Sequence, residues 1–133
     1  MTEWLFPLFL EAYQAINEYR QVIEGRAPDP SNPSKNYAHM KSGDVIRFRA
    51  IDEETFEPLK EYSDMLFQVA YVRLYTDETP EGAIKSMLET EGYDHFGYRS
   101  LDSGIQGYMS FPKYPERIRE HGIYAIGLGQ RIP

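Results

Sequence analysis

The sequence predicts an α+β fold built around one small β-sheet that is closed or half closed. Three runs with strand character follow an N-terminal helical pattern, and two further helical patterns separate them from a last strand. The length of 133 residues and the 41% content of hydrophobic residues suit a single core. Residues 1–133 are therefore expected to form one domain.

The N-terminal helix is predicted from about Pro7 to Tyr19, because apolar residues recur with helical spacing and proline is tolerated in a first turn. A short strand over Gln21–Ala27 follows. The next ten residues, Pro28–Tyr37, include three prolines and predict a loop. The residues that set the helical spacing are Phe9, Ala12, Tyr13 and Ile16.

Two longer strands are predicted in the middle of the chain. A Gly43-Asp44 turn precedes a segment in which apolar residues alternate with arginines up to Ile51, a pattern typical of a half-buried strand. The run Met65–Tyr75 is the longest segment of β-type residues and predicts a central strand.

Helical signals appear twice before the last strand, GIYAIGLG. Thr79 is the predicted N-cap of the first helix and Gly92 its predicted end. Ser100 is the predicted cap of the second helix, whose inward residues are Ile105, Tyr108 and Met109.

Composition excludes several kinds of site. The chain has no cysteine, which excludes disulfides, thiolate metal sites and a cysteine nucleophile. His39, His95 and His121 lack the spacing of metal ligands, and no glycine-rich phosphate loop precedes a helix, so neither a metal nor a cofactor is expected. The apolar N-terminal stretch contains Glu3 and Glu11 and is too short to span a bilayer, so we expect a cytoplasmic protein without a membrane partner.

Charge is unevenly distributed along the chain. The net charge is −7, yet residues 51–94 contain twelve acids against three bases, whereas residues 99–131 contain five bases against three acids. Because phosphate contacts supply much of the affinity for nucleic acid, this segregation leaves a basic part available for such a partner. The acidic segment 51–64 has two interpretations, a solvated face or a surface for a protein partner.

An acid and a base stand two residues apart in the first predicted strand. Side chains at i and i+2 share one face of a strand, so Glu24 and Arg26 lie side by side. The pair is interpreted either as an ion pair that rigidifies a cleft or as part of a functional site.

Three segments, read in order, resemble the ASCH domains, small members of the PUA-like superfamily. They are Ile16 with the Ile-Glu-x-Arg of the first strand, then KSGDVIRF, and then SMLETEG followed by GIQGY and HGIYAIGL. The resemblance covers about residues 9–128. It implies a PUA-like β-barrel of about five to six strands, with an N-terminal helix, two helices inserted before the last strand, and a cleft into which the acid-base strand projects.

The resemblance also bears on activity, because ASCH domains are associated with RNA binding and RNA metabolism, and some resemble amidohydrolases of acetylated cytidine. Those amidohydrolases share the pattern G-x-K-x-x-T-x-R and a distal glutamate. These positions correspond here to Tyr19, Gln21, Glu24, Arg26 and Glu91, so the reactive lysine and threonine are missing. Since glutamine accepts no proton and glutamate has no hydroxyl, the amidohydrolase apparatus is predicted to be absent.

The basic part of the chain interleaves aromatic and cationic residues. Unpaired bases stack on aromatic rings while cations neutralise the backbone, which is how single strands are held. The alternative interpretation is that the rings are core and the arginines ordinary surface. The residues concerned are Tyr98, Tyr108, Phe111 and Tyr114 with Arg99, Lys113, Arg117, Arg119 and Arg131.

The sequence therefore predicts an RNA- or nucleotide-binding domain. Its alternative is a hydrolase of a modified nucleoside or of RNA, with Glu91 or Glu24 as general base. A third possibility is an adaptor that binds a protein through residues 51–64. The predicted ligand-binding residues are Gln21, Glu24, Arg26, Lys41, Tyr108 and Lys113.

Overall fold

The computed structural model describes residues 2–133, which contain five strands and four α-helices. Three short 3-10 turns lie at Pro33–Lys35, Tyr37–His39 and Tyr93–Phe96. In chain order the main elements are β1 (Glu3–Phe9), α1 (Leu10–Asn17), β2 (Ile23–Arg26), β3 (Val45–Ile51), β4 (Met65–Tyr75), α2 (Pro80–Glu91), α3 (Leu101–Ser110), α4 (Tyr114–His121) and β5 (Ile123–Ile132).

The five strands form one sheet in the order β1-β3-β4-β5-β2. The β1–β3 pair is parallel and the other pairs are antiparallel. The sheet curls into a half-barrel, which confirms the predicted α+β fold with a small PUA-like barrel. Because the barrel does not close, β1 and β2 are its two edges.

Glu3–Phe9 form strand β1, so the prediction of a helix from Pro7 was wrong for Pro7–Phe9. The helix begins at Leu10. Glu3–Phe9 alternates exposed and buried residues, and Trp4, Phe6 and Leu8 point into the core. This segment adopts the alternating pattern of a strand and not the helical spacing, because it pairs with β3 along its whole length. Pro7 fits an edge strand, where no ladder hydrogen bond is required of its nitrogen.

The helix signals before the last strand are confirmed, and one helix was missed. The Thr79 hydroxyl accepts a hydrogen bond from Gly82 N, Gly92 ends α2 with φ of 96°, and Ser100 forms a capping box with Ser103. Helix α4 was not predicted, because its eight residues include a proline and mostly polar side chains. No helix within residues 2–133 is long and apolar enough to cross a membrane.

Two hydrophobic clusters lie on opposite faces of the sheet. The inner cluster fills the curl of the half-barrel and includes Phe6, Ile46 and Phe48, each almost fully buried. The outer cluster packs Ile84 and Leu88 of α2, together with α3 and α4, against β2 and β5. Strand β2 contributes Ile23 to the outer cluster, whereas Glu24 and Arg26 lie on its other face.

A buried aspartate joins the starts of β1 and β3. The Asp44 carboxylate accepts hydrogen bonds from Trp4 Nε1, Lys41 N and Thr2 N, each at 3.1 Å. Burial by itself would raise the pKa of Asp44, but these hydrogen bonds and the Lys41 charge outweigh it, so the pKa is lowered. The Gly43-Asp44 turn thus has a structural role, because Asp44 holds the start of β1 next to the start of β3.

Replacing Asp44 with alanine is expected to lower the free energy of unfolding by about 3 kcal/mol, because the Trp4 indole N–H would lose its partner in the core. Urea denaturation measures the change. Ser42→Ala, in the same turn but exposed, is the control and should stay within about 0.5 kcal/mol. Equal stabilities of the two variants would contradict the assigned role.

Candidate functional site

A cavity of about 470 Å³ lies in the gap between the edge strands β1 and β2. The last residues of β1 form one wall, and Glu24, Gly25 and Arg26 of β2 with the following Ala27 form the opposite wall. The segments around Tyr37 and before α4 complete the lining. Its aromatic residues are Phe9, Tyr37, Phe56, Phe96, Tyr98, Tyr108, Phe111 and Tyr114.

Arg26 connects the two edges of the sheet. Its Nη2 donates a hydrogen bond to the backbone oxygen of Pro7 at 3.3 Å, and its guanidinium lies 4.2 Å from the ring centroid of Phe6. Burial by itself would lower the pKa of Arg26, but the nearby Glu24 carboxylate raises it above its ordinary value. Arg26 is therefore a permanent cation in the wall of the cavity.

Glu24 is a buried carboxylate with an incomplete set of partners. It is 7% exposed, and its Oε2 has no hydrogen-bond partner in the part of the chain that the structure describes. Arg26 Nη2 lies 3.7 Å from that oxygen, which is an ion pair without a hydrogen bond. Burial raises the pKa of Glu24, although the Arg26 charge opposes the change.

Gln21 stands beside this pair with its amide fixed. Its Nε2 donates to the backbone oxygen of Ile23 at 3.0 Å, and the side chain lines the cavity. This glutamine occupies the position of the reactive lysine in the amidohydrolase pattern. Among residues 2–133 that line the cavity, none is a serine, threonine or cysteine.

Gly25 allows an aromatic ring to approach the backbone of β2. A Cβ at this position would lie 2.6 Å from Cζ of Tyr108, closer than atoms can approach. The ring therefore packs directly on the backbone of Gly25. Burial raises the pKa of Tyr108 well above its ordinary value and raises the pKa of Tyr37 to about 12, so both hydroxyls stay protonated.

The cavity carries more positive than negative charge. Of its lining residues within the described range 2–133, Glu24 alone is acidic. Lys113 is exposed at the rim, and Arg117 Nη2 lies 3.7 Å from Asp29 Oδ2. The cationic residues of the lining are Arg26, Lys35, Lys113 and Arg117.

Five of the predicted site residues line this one cavity: Gln21, Glu24, Arg26, Tyr108 and Lys113. From the basic aromatic tail, Tyr98, Phe111, Tyr114 and Arg117 also line it, whereas Arg99, Arg119 and Arg131 are not among the lining residues.

Lys41 does not line the cavity, contrary to the prediction. It precedes the first residue of β3, whereas the cavity lies near Ile51 at the other end of that strand. Seven residues of strand separate the two ends by roughly 20 Å. Sequence proximity to a strand did not reveal which of its ends faces the site.

Glu91 also lies outside the lining, so it does not converge with Glu24 as an acid-base pair. Its carboxylate accepts hydrogen bonds from Tyr71 at 2.8 Å, from Arg73 at 2.9 Å, and from Tyr75. Burial by itself would raise the pKa of Glu91, but the three donors and the Arg73 charge lower it. A carboxylate so fully occupied is a poor general base, and it anchors the end of α2 to β4.

Several lining residues were not predicted, namely Lys35, Tyr37 and Phe56. Lys35 and Tyr37 belong to the proline-rich segment, whose irregular structure has no periodicity that indicates direction. Phe56 is 64% exposed although it is a large apolar residue. Phe56 and Lys113 both have positive φ values, 59° and 68°, and such backbone conformations in non-glycine residues tend to occur at ligand sites.

The comparisons with known proteins give structural matches only. No protein-family model and no curated protein matches the sequence. Among solved structures, an ASCH structure from Zymomonas mobilis matches with a TM-score of 0.57 at 12% identity, covering 97% of this chain and 68% of that chain. The chain has the fold of an ASCH domain.

Two further structures share the ASCH fold of this chain at higher similarity. The crystal structure of hypothetical protein PH0355 has a TM-score of 0.68 and 25% identity, covering 98% of this chain and 100% of that one. The solution structure of protein PF0455 from Pyrococcus furiosus has a TM-score of 0.63 and 28% identity, covering 96% of each chain. The similarity spans the ASCH fold from end to end.

No group of three or more histidine or acidic side chains within residues 2–133 has the arrangement of a metal site. The polar side chains that line the cavity are four cations, the Glu24 carboxylate, the Gln21 amide and the tyrosine hydroxyls.

Replacing Glu91 with glutamine is expected to lower the free energy of unfolding by about 2 kcal/mol, because the charged acceptor of three hydrogen bonds is lost. Thermal or urea denaturation measures this. Glu89→Gln, an exposed change in the same helix, should have no measurable effect. A Glu91→Gln protein with the free energy of unfolding of the original protein would show that the three hydrogen bonds do not contribute to stability.

Replacing Glu24 with glutamine is expected to stabilise the protein at pH 7.5 and to lose this advantage at pH 4. The ordinary pKa of the carboxyl is 4.5 and burial raises it in the folded protein. Below pH 4.5 the carboxyl is protonated in both the folded and the unfolded protein, so its burial does not reduce the free energy of unfolding. As the pH rises through the raised pKa of the folded protein, the buried carboxyl ionises and this part of the free energy of unfolding is lost. Urea denaturation of both proteins at the two pH values tests this, and a difference independent of pH would contradict it.

Proposed function

We propose that the chain binds single-stranded RNA, or a nucleotide-sized part of it, in the cavity between β1 and β2. The observation that carries this proposal is the lining itself, which combines eight aromatic residues, four cations and one buried carboxylate. Rings hold bases by stacking, and cations hold phosphates. The ASCH fold supports the same class of function.

The volume of the cavity supports a ligand of about the size of one nucleotide. A cavity of about 470 Å³ falls in the range of pockets that hold small ligands. The half-buried Tyr98 and Tyr114 supply flat rings with an apolar face and a hydroxyl at one end, which suits a base and its sugar, whereas Tyr108 is buried beneath the cavity. Phe111 is 39% exposed at the rim and offers a further stacking surface.

Local charge favours a phosphate although the protein is acidic overall. Lys35, Lys113 and Arg117 line the cavity, whereas the acids of the 51–64 segment, which connects β3 to β4, are not among the lining residues. Asp64 of that segment is bound by Arg47 and Arg49. No acid of this segment is therefore part of the cavity wall that contains the cations.

Replacing Lys113 with glutamine is expected to weaken binding of a short single-stranded RNA about threefold at low salt. It should also reduce the slope of log affinity against log salt by about 0.7, the value for one phosphate contact on a single strand. Isothermal titration at several salt concentrations measures both. Lys60→Gln, an exposed change outside the lining, is the control.

Replacing Arg26 with alanine is expected to reduce RNA affinity at least about tenfold, since a charged contact in a buried wall is lost. Circular dichroism verifies that the variant is folded. The absence of salt-sensitive RNA binding by the unmodified protein, or unchanged binding by folded Arg26→Ala, would overturn the proposed function.

The second candidate is a hydrolase of a modified nucleoside or of RNA. The Glu24 carboxyl in the cavity favours it, because burial raises the pKa of this group and a carboxylate with a higher pKa is a stronger base. Water would be the nucleophile and Glu24 its base. Acetate release from acetylated cytidine, or cleavage of labelled RNA, that disappears in Glu24→Gln supports this function, and no turnover by the folded protein excludes it.

A further inference from the structure

We infer that guanine is the base that this cavity selects, because Arg26 presents a donor beside the Glu24 carboxylate, whereas the Watson–Crick edge of guanine has an acceptor beside two donors. This inference rests on the proposed function and specifies the ligand of the same site.

The unpartnered Glu24 oxygen is the first reason. A buried acceptor without a donor costs free energy, and structures rarely leave one without a purpose. Glu24 lines the cavity, and its Oε2 has no partner among residues 2–133. This oxygen is shielded from solvent, but the terminal torsion of a glutamate side chain is broad, so rotation about it would present an oxygen to a ligand in the cavity. A ligand that donates hydrogen bonds in the cavity would satisfy it.

The fixed amide of Gln21 is the second reason. Its Nε2 is committed to the backbone oxygen of Ile23. One Nε2 proton and the acceptor Oε1 remain, so the amide can accept a further hydrogen bond from a ligand amine. The glutamine and the carboxylate therefore both offer acceptors in the cavity.

The guanidinium of Arg26 supplies the complementary donor. It is held over the Phe6 ring and by the Pro7 oxygen, so its position is set before any ligand arrives. A preformed planar donor beside a carboxylate pairs with an acceptor next to donors on the ligand. Arg26 and Glu24 can therefore form hydrogen bonds with an uncharged base edge and do not require a charged ligand.

Guanine alone among the common bases has two adjacent donors beside an acceptor on this edge. Its O6 would accept from Arg26, and N1–H and the exocyclic N2 amine would donate to the two oxygens of Glu24. Uracil has a single N–H between two carbonyls, which repel a carboxylate. Adenine and cytosine each offer one amine beside a ring acceptor, so one carboxylate oxygen would stay unpaired.

Titration with five trinucleotides tests the inference. They have uridine at both ends and guanosine, inosine, adenosine, cytidine or uridine in the middle. The guanosine trinucleotide is expected to bind at least about tenfold tighter than the adenosine, cytidine and uridine ones, as a bidentate contact discriminates by this much. Inosine, which lacks the N2 amine, should fall between guanosine and the others.

Variants separate base selection from general binding. Folded Glu24→Gln is expected to bind all five trinucleotides within about threefold of one another, because the amide replaces one acceptor with a donor. Glu89→Gln is the control and should keep the full preference. A retained guanosine preference in Glu24→Gln would overturn the assigned role of the carboxylate.

The outcomes also separate this inference from the proposed function. Equal affinity for all five trinucleotides, or tightest binding of any other base, overturns guanine selection and leaves RNA binding intact. No binding of any trinucleotide at low salt overturns the proposed function and the inference together.

Discussion

The open gap between β1 and β2 is the constraint on which the rest of the site depends. A sheet that curls without closing leaves two edges with unpaired backbone groups, and such edges need to be covered or bridged. Arg26 bridges them through one hydrogen bond to the Pro7 oxygen and a contact with the Phe6 ring. The same side chain thus stabilises the half-barrel and forms a wall of the cavity. A fully closed barrel would have no cavity at this position.

Two buried glutamates illustrate how environment decides the role of one residue type. Glu91 has three donors directed at its carboxylate and a lowered pKa, which is the arrangement of a structural anchor. Glu24 has an incomplete set of partners and a raised pKa. The free energy that folding loses at Glu24 is available to a ligand that supplies the missing donor, which is the usual relation between stability and function at binding sites.

Much of the secondary structure was predictable because helix caps, helix ends and strand composition depend on residues that are close together in the sequence. The caps at Thr79 and Ser100, the stop at Gly92 and the long strand β4 all depend on neighbours within a few residues. The first strand was missed because WLFPLF fits a period of two and the start of a helical stripe almost equally well. Pairing with β3, about forty residues away in the chain, decides between them.

The sequence by itself determined that Glu24 and Arg26 share one face of a strand, since this follows from the period of two. It also determined that aromatic and cationic residues are concentrated near the end of the chain. Only the tertiary structure decided that this strand is a sheet edge and that Lys41 and Glu91 lie away from the cavity that Tyr37 and Phe56 enter. The physical reason is that a cavity is formed by surfaces from distant segments, and their relative position depends on strand order and on which strand ends meet.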